Sequence, residues 1–148
     1  MRGPHITPVD VMRATDFILP AIEVVDRRYT RRAPGPLIVD SVADGAWCGR
    51  VVVGSNPQQL TQIDVREIAG TLLVNGETRA HGFSSAVIGN LVFAVVWLAN
   101  KLGEFGVALK EGHIVMSGSF TSLIPVHADS TVVASFDGLG HVHVHLTQ

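Results

Sequence analysis

Asn75-Gly76 stands between two extended runs, Ile63–Val74 and Glu77–His81. No other short signal in the chain restricts the fold so tightly. Asn-Gly between extended runs is the strongest local mark of a tight hairpin, which forces the flanking strands to pair antiparallel. Thr131–Phe136 and His141–Leu146 read as two further strands joined by Asp137-Gly138-Leu139-Gly140. Arg50–Gly54 and Ile114–Met116 read as strands as well, with turn chemistry at Ser55-Asn56-Pro57. Phe17–Val25 is an Ile- and Val-rich run that Pro20 makes an edge strand or a strand with a break before it.

Helices are fewer. Thr7 and Pro8 are an N-cap and a first helical position, opening a short helix to about Thr15. Leu37–Ala46 is expected to be a second short helix. Gly89–Phe105 carries Val92, Val96, Ala99 and Leu102 with Phe93 and Trp97, a helical spacing with a broad apolar face, and Gly106 is its C-cap. Many strands and few helices, without strict strand–helix alternation, argue for an α+β fold with a mixed or antiparallel sheet. The 148 residues suit one domain, and 47% hydrophobic against 16% charged residues supplies a packed core.

Charge and cysteine content exclude several roles. A net charge of −2 argues against a nucleic-acid partner, since phosphate binding needs a clustered basic surface. The one basic cluster, Arg27, Arg28, Arg31 and Arg32, lies in a loop reading of residues 27–36. A solvated loop or subunit contact is preferred there over an anion site. The single Cys48 fits a reducing, cytoplasmic setting and is expected to be a small core residue rather than a nucleophile. Residues 1–5 lack the apolar core of a signal peptide. Ala86–Ala99 is shorter than the ~20 residues that span a bilayer, and it contains Gly89 and Asn90. It is expected to be a buried helix, with no membrane partner.

Three places could carry chemistry. His141, His143 and His145 alternate with Val142 and Val144, so three imidazoles share one strand face. The plainer reading is a polar outer face with inward valines, because imidazoles in a straight row rarely converge on one ion. Glu23 interrupts an apolar strand, where a buried carboxylate must be paired or bound to a cation. A solvent-facing or salt-bridged Glu23, with Arg27 as partner, fits the spacing as well as a metal ligand does. Ser117-Gly118-Ser119-Phe120-Thr121 is either an ordinary turn, the simpler reading, or a small anion-binding nest. Phosphate-loop, dinucleotide, nucleophile-elbow and paired-cysteine motifs are absent from the sequence.

Several segments together resemble one family, in its order and over nearly the whole chain. Leu19-Pro20-Ala21-Ile22-Glu23-Val24-Val25-Asp26-Arg27-Arg28 is similar to the P-A-[IL]-E-[IV]-[IV]-D-S-R segment of the 2-keto-4-pentenoate hydratase and 4-oxalocrotonate decarboxylase group, within the fumarylacetoacetate hydrolase superfamily. Val39-Asp40-Ser41-Val42-Ala43-Asp44-Gly45 resembles V-D-x-[IV]-A-D-N. Trp97-Leu98-Ala99-Asn100-Lys101-Leu102 resembles W-L-A-N-x-L. Leu109–Ser119 resembles L-x-x-G-x-[IV]-[IV]-x-[ST]-G-[SA]. Gly45 replaces the usual Asn, and Leu91 stands where proline is common.

The resemblance implies a mixed, strongly bent sheet, a β-roll with a long buried helix, truncated at its N-terminal side. It implies a lyase of aromatic meta-cleavage catabolism that hydrates or decarboxylates a small 2-oxo acid. Mg²⁺ or Mn²⁺ would be held by three carboxylates, of which Glu23 is one. The other two belong to a Glu-x-Glu pair that occurs nowhere in these residues. Ser119, Thr121 and Asp40 are the implied substrate contacts, and no catalytic residue is assigned. Metal binding by the bare chain is therefore expected to be weak or absent. The competing expectation is a non-catalytic relative, an interaction subunit or a remnant. In either case a homo-oligomer or pairing with a related subunit is expected, since removing part of such a fold exposes apolar edges.

Overall fold

A computed structural model describes residues 1–26, 28 and 38–147. The basic loop reading, apart from Arg28, lies outside the described residues. Helix α1 is Pro8–Ala14 and starts at a full capping box: the Asp10 amide donates to the Thr7 hydroxyl, and the Thr7 amide donates to the Asp10 carboxylate at 2.9 Å. Strand β1, Ala21–Val25, begins directly after Pro20, and Ile18 makes an isolated bridge to Gln58 upstream of it. Proline thus breaks the apolar run. Next come α2 (Ile38–Ala43), β2 (Cys48–Val53), β3 (Ala69–Val74), β4 (Glu77–Phe83), α3 (Leu91–Glu104), β5 (Thr131–Phe136) and β6 (Gly140–His145).

The strands form two sheets, β1-β2 and β4-β3-β5-β6, and every ladder among the described residues is antiparallel. Of the two sheet types that the sequence left open, the antiparallel one is found among the described residues, and the mixed sheet implied by the family resemblance is corrected accordingly. Hairpins join β3 to β4 and β5 to β6, and among the described residues no helix carries one strand over to a parallel neighbour. Asn75 and Gly76 take φ of 52° and 83°, as a tight hairpin turn demands. Asn75 also accepts a hydrogen bond from the Thr131 amide through its side chain, which ties the turn to β5.

Two expected strands differ. Only the last part of Ile63–Val74 pairs. Asp64 accepts the Arg66 amide at 3.0 Å and the Arg66 guanidinium, so this stretch satisfies itself locally and turns. Ile114–Met116 joins no ladder. Further along the same segment Phe120 lies against Gly70 and Gly82 of the four-stranded sheet, while Ile114 itself is 75% exposed.

Two apolar clusters make the core. One gathers Val11, Val65, Ile68, Val92 and Leu139 between α1, α3 and the sheet. The other gathers Ile22, Val74, Val132, Ala134 and Val142 between the two sheets. Phe136 packs against both. The helix expected to be buried is buried on one side only: Val92 and Ala99 are enclosed, while Phe93 and Trp97 are exposed. The stretch 84–104 is long and apolar enough to cross a membrane by length and composition. Positive φ at Ile88 and Gly89 breaks it, however, leaving 14 residues in α3, about 21 Å of helix. That falls short of a bilayer core.

Candidate functional site

An open cleft of about 1310 Å³ runs between the 13–25 segment and the 109–126 segment, floored by Thr71, Leu72, Val132, Ala134 and Phe136. Glu23 lines it from one wall, and Ser117, Ser119 and Thr121 from the opposite segment. Ile22 is buried against the sheet, so Glu23, one residue along, faces the other way and is exposed. Ile22 and Val24 line the same cleft, so Glu23 reaches it as part of the whole β1 wall and not through alternation alone.

The pairing of β1 with β2 is irregular just past Glu23. Val24 lies opposite Arg50 but Val25 lies opposite Cys48, so Gly49 is the extra residue of a bulge. A methyl group at Gly49 would stand 2.8 Å from Asp26 Cβ and 3.1 Å from the Val24 carbonyl oxygen, and only glycine fits. Cys48 stands beside this bulge and feels the Glu23 carboxylate. Burial and the hydrogen bond to that carboxylate push the thiol up from its ordinary range, against the opposing pull of Arg28. Cys48 is therefore a half-buried neighbour of Glu23, not the core residue expected from sequence. The signal that could have shown this was Cys-Gly inside a strand, a bulge pattern.

Arg28 braces the same corner. Its Nε donates to Asp44 Oδ1 at 2.7 Å, and its Nη1 donates to the Cys48 carbonyl at 3.3 Å. Asp44 is thereby committed to an ion pair, although its Oδ2 is buried with no hydrogen-bond partner among the described residues. Gly45, Ala46 and Trp47 follow with φ of 62°, 53° and 67°. Left-handed backbone at two non-glycine residues is costly, and here it carries Trp47 to the cleft wall. The sequence pointed to neither residue.

The other expected site residues divide. Ser119 and Thr121 lie on the cleft, but the Ser119 hydroxyl donates to the Thr121 carbonyl at 2.8 Å and accepts from the Thr121 amide at 3.3 Å. That hydroxyl first serves the loop itself. Asp40 sits on the exposed helix α2 and is not among the residues that line the cleft. His141, His143 and His145 are exposed, Val142 is buried and Val144 half-buried, as the strand alternation predicts. His145 Nδ1 lies 3.1 Å from the Thr131 hydroxyl.

Residues 2–147 match the family model described as fumarylacetoacetate (FAA) hydrolase C-terminal. The chain belongs to that family. Within it, the chain falls with the 2-keto-4-pentenoate hydratases and 4-oxalocrotonate decarboxylases. It is 35% identical over its whole length to 2-hydroxyhexa-2,4-dienoate hydratase of Comamonas testosteroni, covering 55% of that relative. It is 37% identical over 142 residues, 96% of the chain and 53% of the relative, to 2-keto-4-pentenoate hydratase of Burkholderia vietnamiensis. Among solved structures, 4-oxalocrotonate decarboxylase from Pseudomonas putida, complexed with magnesium and adipate, superposes with a TM-score of 0.89 at 31% identity, over 99% of this chain and 55% of that one. This family member spans about half the length of the curated relatives it matches.

A divalent cation does not fit the described residues by themselves. Magnesium demands near-octahedral oxygen coordination, and one carboxylate on a strand is a weak ligand set. Among the described residues no group of three His, Cys, Asp or Glu side chains could hold an ion. Glu23 offers one oxygen ligand, with Cys48 beside it.

Proposed function

We propose that this chain is the C-terminal portion of a lyase that hydrates, or removes CO₂ from, a small 2-oxo acid in aromatic meta-cleavage catabolism, acting in the cytoplasm. The observation that supports this most is the shared cleft. Glu23, at the glutamate position of the P-A-I-E segment, Ser119, the last residue of the S-G-S match, and Thr121, two residues beyond it, line one cavity although 96 or more positions separate Glu23 from the other two. In this reading Glu23 supplies one ligand to Mg²⁺ or Mn²⁺ and polypeptide outside the described residues supplies the rest. Thr121, with Ser119 behind it, holds the substrate carboxylate. Asp40 serves the same substrate only if α2 approaches the cleft in the complete assembly. The two sheets would then be parts of the bent roll that the family resemblance implies.

A second reading, a non-catalytic subunit that pairs with a related chain, draws support from the cleft rim. Phe17, Ile114, Met116 and Leu123 are exposed there or close by. Apolar groups in such a run suit a covering polypeptide.

The discriminating experiment supplies a Glu-x-Glu segment from a related hydratase, fused or in trans. Turnover of 2-hydroxypenta-2,4-dienoate or 4-oxalocrotonate should appear only in the supplemented protein and vanish again in Glu23→Gln. Supplementation that produces a stable complex with no turnover of either compound would favour the subunit reading.

A further inference from the structure

The segment that carries Ser119 and Thr121 has no ladder of its own, yet it is held over the sheet at two points where side chains are missing. Gly70 and Gly82 lie opposite each other on β3 and β4. A methyl group at Gly82 would overlap the backbone carbonyl of Phe120, and one at Gly70 would stand 2.9 Å from the Phe120 ring. The paired glycines form a slot, and Phe120 fills it. Its ring meets the Phe136 ring edge-on, with centroids 5.4 Å apart and planes at 87°, and packs against the cluster around Val11 and Leu139. Gly118, at φ 129°, closes against Val87, where a methyl group would lie 3.0 Å from Val87 Cγ1.

We infer that Phe120 is a positioning residue: seated in the Gly70–Gly82 slot, it sets where Ser119 and Thr121 stand in the cleft and so tunes binding of the substrate carboxylate. This rests on the reading of Ser119 and Thr121 as substrate contacts. The physical reason is rigidity. A loop without ladder hydrogen bonds keeps a binding geometry only if packing immobilises it. Here Phe120 provides the central part of that packing, its backbone against Gly82 and its ring against Gly70 and Phe136, and it is flanked on both sides by the hydroxyl residues whose hydrogen bonds depend on its seat.

The test uses the chain supplied with the Glu-x-Glu segment and three variants: Phe120→Leu, Gly70→Ala and the double substitution. Phe120→Leu should speed amide exchange at Thr121 by about tenfold while Leu72 and Ala134 in the strands beneath keep their rates. It should also weaken binding of 2-oxopentanoate, followed by NMR shifts, by about fivefold, while unfolding stays cooperative at a lowered midpoint. Gly70→Ala should unseat the ring and act alike. The double variant should be clearly less than additive, because the smaller side chain makes room for the methyl group. Unchanged Thr121 exchange in Phe120→Leu, equal acceleration at Leu72 and Ala134, or strict additivity would each overturn the inference. If the unmodified protein shows no response to 2-oxopentanoate, the substrate reading fails and the tuning claim with it, while the exchange measurements still decide whether Phe120 seats the loop.

Discussion

Asn100 and Ile6, 94 positions apart, exchange two hydrogen bonds: the Ile6 amide donates to Asn100 Oδ1 at 2.8 Å, and Asn100 Nδ2 donates to the Ile6 carbonyl at 2.9 Å. One side-chain amide thus substitutes for a strand partner and fastens the N-terminal segment to α3. The same crossing brings Gly3 and Gly103 so close that a methyl group on Gly103 would lie 2.5 Å from the Gly3 carbonyl carbon.

Asn100→Ala should therefore cost about 1–3 kcal/mol, the net worth of two partly buried hydrogen bonds. Urea unfolding should show a lower midpoint at unchanged slope. Asn100→Asp should fall between, since it keeps the acceptor for the Ile6 amide and loses the donor. A wild-type midpoint in Asn100→Ala would show that water replaces both bonds without loss.

The bulge beside Glu23 leads to a second expectation. Gly49→Ala should destabilise by about 1–3 kcal/mol, because the methyl group has no room between Asp26 and the Val24 carbonyl. It should also turn the Cys48 thiol away from Glu23. Thiol stretching frequencies, measured by infrared spectroscopy, should shift toward those of an unbonded thiol. An unshifted band in a folded variant would place the Cys48–Glu23 contact beyond the bulge's control.

How much of this was legible beforehand depended on whether the cause was local. Thr7-Pro8 and Asn75-Gly76 specify their geometry through the residues themselves, and the structure follows both. Asp64 and Arg66 are equally local, but an Asx-type turn hides inside what reads as the start of a strand. Ile114–Met116 shows the limit of pattern: an apolar run does not say whether it pairs at an edge or lies across a face. The contact between Cys48 and Glu23 depends on the register between two strands, and no spacing within either one encodes it. Glu23 was legible from spacing as a residue that needs an explanation, whereas a cleft shared with the Ser117–Thr121 loop was suggested only by the family resemblance, because the two segments lie far apart in the chain.

On the acid side, Asp64 should titrate at about 2, held down first by its side-chain hydrogen bond from Arg66. Asp10 is also lowered, chiefly by the Thr7 hydroxyl. Both folded values lie below those of the unfolded chain. Their stabilisation is thus complete above about pH 4 and is lost as pH falls through the folded values, for Asp64 near 2. Both pairs are exposed, so salt should shrink the effect. Carboxyl carbon NMR should show Arg66→Gln returning Asp64 toward the ordinary range. An Asp64 that already titrates there in the parent protein would remove this ion pair from the account.

Association should be visible in solution. Phe93, Trp97 and Phe105 on or beside α3, with Ile114 and Leu123 on the crossing segment, are exposed apolar groups that favour burial against another chain. Light scattering at micromolar concentration should give a mass at least twice the 15.8 kDa of one chain. A monodisperse monomer would count against both the homo-oligomer and the strength of any self-pairing through these groups.

The last expectation concerns Glu23 and metal. One strand carboxylate cannot satisfy an ion that wants six oxygens in fixed directions, and the neighbouring thiol is a poor ligand for a hard cation. Asp44, the next acidic group braced nearby, is already held by Arg28. Titration of the 148-residue chain with Mn²⁺, read by electron paramagnetic resonance, should thus show weak binding or none at millimolar metal. Adding the Glu-x-Glu segment should create one saturable site, and Glu23→Gln should abolish it. Tight binding by the unsupplemented chain that disappears in Glu23→Gln would mean that Asp26, Asp40 or Asp44 moves to complete the site. Tight binding that survives Glu23→Gln would remove Glu23 from the metal altogether. The shared cleft would then have to be explained by its apolar floor and the Ser119–Thr121 loop alone.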